Sequence, residues 1–167
     1  MIATIIEQIA DANPTRDYLN LNRRMLKLIE ELGELAEAFL ECTSIHNHKQ
    51  KTWDDVKEES ADVLIVAIDI ALTIDSGSSL AEYVRQNSHR INCGFDTIIR
   101  EICYAMARFD GSYKQDRTVA SAHIRTAVCY AFALNQDDDA LLNEVNRKLE
   151  KWRSGVSTAA CAITQNC

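Results

Sequence analysis

Apolar residues along this chain recur mostly at helical spacing, in runs separated by a few polar, Gly- or Pro-containing breaks. "IATIIEQIADA" predicts a short helix over 2–12 that stops before Pro14. A second, amphipathic helix is predicted over about 16–42, with Thr15 as its candidate N-cap, and "TSIHNHKQKT" follows as a polar loop. "WDDVKEESADVLIVAIDIALTI" predicts a third helix, apolar almost all round from Ala61 onward and therefore buried. "DSGSS" breaks the chain before a short helix "LAEYVRQ", and a loop through Gly94 leads to helices over about 95–109 and 118–134. The last helix begins in the acids at 137–139, which suit an N-terminal dipole, and ends near Arg153. No segment reads as a strand, so the expected fold is all-α, one domain over 1–153 with a loose tail at 154–167.

The same order of elements hides an internal repeat. "LIEELGELAEAF" (28–39) aligns without a gap on "IIREICYAMARF" (98–109), and 69–86 aligns without a gap on 131–148. The apolar positions match, whereas Glu30, Glu34 and Asp62 become Arg100, Tyr104 and Ile124; Glu31 alone keeps an acid, Glu101. This predicts a duplication, with a first repeat over about 16–90 and a degenerate second one over about 95–153. On that reading Tyr104 and Ile124 turn the second cleft into core.

Composition narrows the function. The 167 residues are 47% hydrophobic with five Gly and one Pro, enough for one real core and too few breakers for a many-turned β protein. A net charge of −7 argues against a nucleic-acid backbone as partner, since such binders carry a basic stripe. No apolar run reaches the ~20 residues of a membrane span and no charged-then-apolar leader opens the sequence, so a cytoplasmic protein away from membranes is expected. The six cysteines form no CxxC pair, and His46 and His48 make an isolated HxH without zinc-ligand spacing.

The acids are the chemical signal. Glu31 and Glu34 stand three apart on one face of the second helix, and Glu59 and Asp62 three apart on the third. If these helices form an antiparallel hairpin, the pairs lie about 15 residues before and 13 after a midpoint near residue 48, at comparable height. Each pair of charges ~4 Å apart then costs about 4 kcal/mol at an effective dielectric of ~20. Hard divalent cations relieve that repulsion, and all-carboxylate ligation suits Mg²⁺ or Mn²⁺. A di-iron carboxylate bundle would need Glu-x-x-His motifs, and neither pair has a His. A solvated acidic face is the plainer alternative; the run VLIVAI directly after Asp62 speaks against it.

"EELGE" at 30–34 followed by "ESAD" at 59–62 resembles the EExxE…ExxD signature of the MazG-like all-α nucleoside triphosphate pyrophosphohydrolases. "NEVNRKLEKWR" is similar to the basic helix that closes such domains, and the resemblance spans about 16–153, with no clear counterpart for 87–118 in short family members. It implies a MazG-like helical bundle and Mg²⁺-dependent cleavage of a (d)NTP to a monophosphate and diphosphate. By position, Glu31, Glu34, Glu59 and Asp62 are the implied metal ligands, and Glu30 an outer ligand or a helper that orients the attacking water.

Lys27 and Arg24 precede Glu31 on its own face, Asn20 continues that stripe, and Lys148 with Asn146, or Arg85, are candidate contacts from across the cleft. For each of these an exposed, solvated side chain is the alternative, as packing is for the candidate stacking groups His89, Trp53 and Tyr83. The family also implies a homo-oligomer, a dimer or tetramer, and weakly favours a purine such as dGTP or GTP; the small size would suit a phage-encoded enzyme in a host cytoplasm. The competing expectation is a non-catalytic nucleotide-binding or regulatory module of the same fold.

Overall fold

The computed structural model describes residues 1–13, 21–45, 47–74, 80–88, 95–108, 114–135 and 138–164; the side chains of 114–117, 138 and 154–164 lie outside that description. Among the described residues every regular element is a helix: α1 (Ile2–Ala12), α2 (Leu21–Thr43), α3 (Trp53–Ile74), α4 (Leu80–Asn87), α5 (Phe95–Arg108), α6 (Lys114–Leu134) and α7 (Asp138–Thr164). None is long and apolar enough to cross a membrane. Thr15, Asn20, His46 and His89 fall outside the described residues.

Two ends differ from expectation. α6 begins at Lys114 rather than Thr118, because Lys114, Gln115 and Arg117 favour a helix without carrying the apolar period that reveals one. α7 runs on to Thr164, through the tail expected to be loose beyond Arg153, where Ala159, Ala160 and Ala162 favour helix and no Pro interrupts it.

α3 lies at the centre. Every residue from Val63 to Thr73 is buried, and the helix packs against α2, α6, α7 and α1. Its entry is fixed locally. Thr52 Oγ1 accepts from the Asp55 N–H at 3.4 Å, and Asp55 Oδ2 accepts from the Thr52 N–H at 2.8 Å, a reciprocal cap. Hydrogen bonds from Thr52, with Lys51 adding its charge, hold the Asp55 carboxyl down at about 2. Asn47 closes the preceding turn through Lys51, accepting from its N–H at 2.9 Å and donating to its carbonyl at 2.6 Å. That turn makes α2 and α3 an antiparallel hairpin.

α5 and α6 form a second packed pair, and α3 and α6 are the surfaces through which the two pairs meet. The helix after each pair crosses to the other: α4 lies on α6, and α7 lies on α3. Phe39 of α2 stacks on Phe95 of α5, centroids 4.4 Å apart, and Trp53 meets Phe39 edge-on at 6.0 Å. Tyr83 donates to or accepts from Thr126 at 3.2 Å, with Arg125 above its ring. Trp53 and Tyr83 thus serve packing. Among the described cysteines, Cys42, Cys103 and Cys129 are free thiols, and burial pushes Cys129 up to about 12.

The expectation for the second pair holds at one position and fails at the other. Ile124 is fully buried, but Tyr104 is 52% exposed, its ring tilted against His123. Glu34, its aligned counterpart, is exposed as well, so the alignment pairs two outward positions rather than two core ones.

One buried charge is structural. Asp69, 3% exposed in the middle of α3, takes Arg24 Nε at 3.0 Å and Asn13 Nδ2 at 3.0 Å. Arg24 also donates to Thr73 Oγ1, whose own hydroxyl donates to the Asp69 carbonyl at 2.8 Å. This knot ties the end of α1 and the start of α2 to α3. Arg24→Met should destabilise the protein by about 3–5 kcal/mol, because it takes the guanidinium charge from the buried Asp69, and Arg24→Met/Asp69→Leu should recover most of that loss. Urea unfolding of the three proteins checks this; a double variant no more stable than the single one would count against the pairing.

Candidate metal centre

Glu31 and Glu34 project from α2 toward Glu59 on α3, and each of the three offers a carboxylate oxygen within 4.8 Å of the others. Among the described residues no other group of three His, Cys, Asp or Glu side chains does this. The placement follows from the hairpin. Leu28, Leu32 and Leu35 pin one face of α2 to the core, and Glu31 is carried inward with them to 5% exposure. Glu34, one turn on, stays open to solvent, and Glu59 is half-buried at the facing edge of α3. The cluster is therefore reached from outside on one side and backed by core on the other.

Lysines border it at three corners. Lys27 Nζ lies 2.7 Å from Glu31 and 3.1 Å from Glu30. Lys ahead of Glu is the less favourable order for such a pair on an isolated helix. Lys51 Nζ stands 4.0 Å from Glu59 and 3.2 Å from Asp55. Lys148 of α7 donates to Asp62 Oδ2 and lies 3.6 Å from both Glu58 and Glu144.

The electrostatics match a crowded site. Burial pushes the Glu59 carboxyl up from its ordinary value, and the charges of Asp62 and Glu34 add to this against Lys148 and Lys51. Asp62 is also raised by burial, with Lys148 opposing. Burial alone would lower Lys148, but its hydrogen bond to Asp62 and the charges of Asp62, Glu58 and Glu144 overcome it and the net direction is up. Hard oxygen donors converging from two helices fit Mg²⁺ or Mn²⁺.

The other expected residues divide. Asp62 sits beside the cluster with its oxygen held by Lys148, while Glu30 points to solvent, 58% exposed, on Lys27. Arg24 is taken by the Asp69 knot, and Arg85 by Glu82 on its own helix at 2.6 Å. Asn146 is half-buried on α7, two residues from Lys148. Sequence reasoning passed over Lys51 and Asp69. A lone acid inside the apolar run "VAIDIAL" was the available signal for Asp69, since a charge there needs a partner. Lys51 had none, being one of several cations in a polar loop.

Beside Glu58 and Glu144 a cavity of about 290 Å³ opens between the starts of α3 and α7, lined also by Asn135 and Leu141. In the second helix pair the position equivalent to Glu31 holds Glu101, which bonds His123 Nδ1 at 2.8 Å in place of a carboxylate cluster.

Comparison of the chain with protein-family models, with curated proteins and with solved structures found no match.

A divalent cation bound only by the folded protein stabilises it by RT ln(1 + [L]/Kd), about 2.7 kcal/mol at a hundredfold excess over Kd. Mg²⁺ or Mn²⁺ should therefore raise the melting temperature, and Glu59→Gln should lose most of that rise. Without metal the sign reverses. A carboxyl raised in the folded state favours folding below its unfolded value, about 4.3 for Glu, and that contribution is lost as pH rises through the folded value. The metal-free Glu59→Gln protein should thus gain on wild type as pH climbs to neutrality, read by thermal melts across pH. Equal cation-induced shifts in both proteins would mean that the ions bind elsewhere.

Proposed function

We propose that this protein is a divalent-metal-dependent nucleoside triphosphate pyrophosphohydrolase of the MazG-like kind, converting a (d)NTP and water to a (d)NMP and diphosphate. The observation that carries the reading is the convergence of Glu31, Glu34 and Glu59, three of the five acids of the EExxE…ExxD pattern, into one oxygen-donor group bordered by Lys27, Lys51 and Lys148. Carboxylates alone would repel a polyphosphate. Carboxylates with metal inside and ammonium groups around them attract one.

Glu31, Glu34 and Glu59 would hold the metal, with Asp62 as the adjoining ligand. Once bound, the ion supplies charge neutralisation on the phosphates and a more acidic water. The chain's own groups do the rest. Lys27 and Lys51 take phosphate oxygens from the two sides of the cluster. Glu30, exposed beside Glu31, orients the water whose oxygen ends on the α-phosphorus as the bond to the β-phosphate side breaks. The cavity next to Glu58 and Glu144, at the lower end of small-ligand sites in volume, offers room for sugar and base. The residues do not choose the base; a purine remains the proposed preference on resemblance.

The second helix pair is proposed to be a decayed copy of the first. What supports this is the crossed packing of α4 on α6 and α7 on α3, together with Glu101 at the place of Glu31. One metal centre per chain follows, with α7, the closing helix of the second unit, completing the site of the first.

Incubation with each (d)NTP and Mg²⁺ should release diphosphate and monophosphate in equal amounts. Glu34→Gln should lower kcat by more than the roughly 10–100-fold that loss of an outer-shell partner costs, with an unchanged circular dichroism spectrum. Orthophosphate as the product, or no turnover with any nucleotide, would defeat the assignment.

A further inference from the structure

Asp62 and Lys148 make one contact that competes with both of their expected roles. Asp62 Oδ2 is bonded to an ammonium group rather than open to a metal, and the charge that Lys148 would bring to a phosphate is already matched by Asp62. The pair is nearly dry: the Lys148 side chain is 10% exposed and that of Asp62 19%. Lys148 nevertheless has somewhere else to go. Glu58 and Glu144 each lie 3.6 Å from its Nζ, and both line the cavity between the starts of α3 and α7. Leaving Asp62 would not strand the ammonium as a buried, unpaired charge, the outcome that makes most such pairs permanent. Its four-carbon stem permits the swing without moving α7. Arg147 offers a contrast. It carries the same charge one residue earlier, bonds Glu58 and Glu144, and is half exposed.

We propose that Lys148 is an exchangeable counter-ion that occupies Asp62 until a polyphosphate draws it away, so that divalent-cation binding and polyphosphate binding are coupled through this one contact. The proposal rests on reading Glu31, Glu34 and Glu59 as a metal centre. Before the anion arrives, the cation meets Glu31, Glu34 and Glu59, while Asp62 is held by Lys148. With Lys148 turned to the anion, Asp62 becomes the fourth. By linkage the cation must raise the affinity for the anion by the factor by which the anion raises that for the cation. The metal is then held loosely in the empty protein and tightly with its substrate.

The test is a mutant cycle on Mn²⁺ affinity, measured by paramagnetic resonance on the full-length chain against free Mn²⁺ and without nucleotide. Lys148→Met should bind Mn²⁺ at least about fivefold more tightly than wild type, the low end of usual coupling factors, and Arg147→Met should gain clearly less. Asp62→Asn should change affinity by less than about twofold in wild type, because its oxygen is already taken, and abolish the gain in the Lys148→Met background. Saturating inorganic diphosphate should tighten Mn²⁺ binding more in wild type than in Lys148→Met. Lys148→Gln, which keeps a donor without its charge, replaces Lys148→Met if that variant does not fold. Equal weakening by Asp62→Asn in both backgrounds, or equal gains from Lys148→Met and Arg147→Met, would overturn the exchange while leaving the metal centre standing. Mn²⁺ binding undiminished by Glu34→Gln would instead overturn the metal centre, and the exchange with it.

Discussion

From Val63 to Thr73 α3 is covered on all sides, and a helix in that position needs a partner for every polar atom it buries. Much of the molecule follows from those partners. Asp69 brings Arg24 and Asn13, and with them the start of α2 and the end of α1. Ser60 takes a hydrogen bond from Asn135 at 2.6 Å, which fixes the end of α6. Asp62 brings Lys148 and the middle of α7. The apolar residues between them supply the driving force, about 1.5–3 kcal/mol for a fully buried Ile or Leu. That force is non-directional; the polar partners decide which helix lies where.

The candidate site stands where this demand is least completely met. Glu31 is as buried as many core residues, yet among the described residues its ion-pair partner is one lysine of its own helix, and Glu59 meets Lys51 at 4.0 Å. Near neutral pH a group of acids with too few cations is a standing electrostatic cost in the metal-free chain. A fold optimised only for its own stability would place apolar residues at such positions, as the second helix pair does with Ile124 at the place aligned with Asp62. The first pair carries the acids there, and a bound divalent cation is what would relieve that cost.

The two helix pairs show how one scaffold holds both outcomes. Each pairs an outer helix with an inner one, and each sends its following helix across to the other pair. In the second pair Glu101 lies on a histidine and Tyr104 at the surface. Tyr104 is instructive, because a tyrosine in place of a glutamate suggests burial by composition. Its position on the outward face of α5 overrides that, since the face is set by the apolar period of Ile98, Ile102 and Ala105.

The sequence by itself determined the helices, the buried character of α3 and the identity of the acids, because helical periodicity and i, i+3 spacing are local properties written along the chain. It located 2–12 and 53–74 to the residue, since Pro14 and the Thr52–Asp55 cap are local stop and start signals. Only the tertiary structure decided which charges meet. Arg24 and Lys27 stand one turn apart on the same stripe of α2, yet one is drawn under α3 by Asp69 and the other borders the acids. Asp62 and Lys148 are 86 residues apart in sequence and in direct contact in space. A long side chain on a helix reaches several neighbours, and its choice among them depends on how the helices pack, which no local spacing encodes.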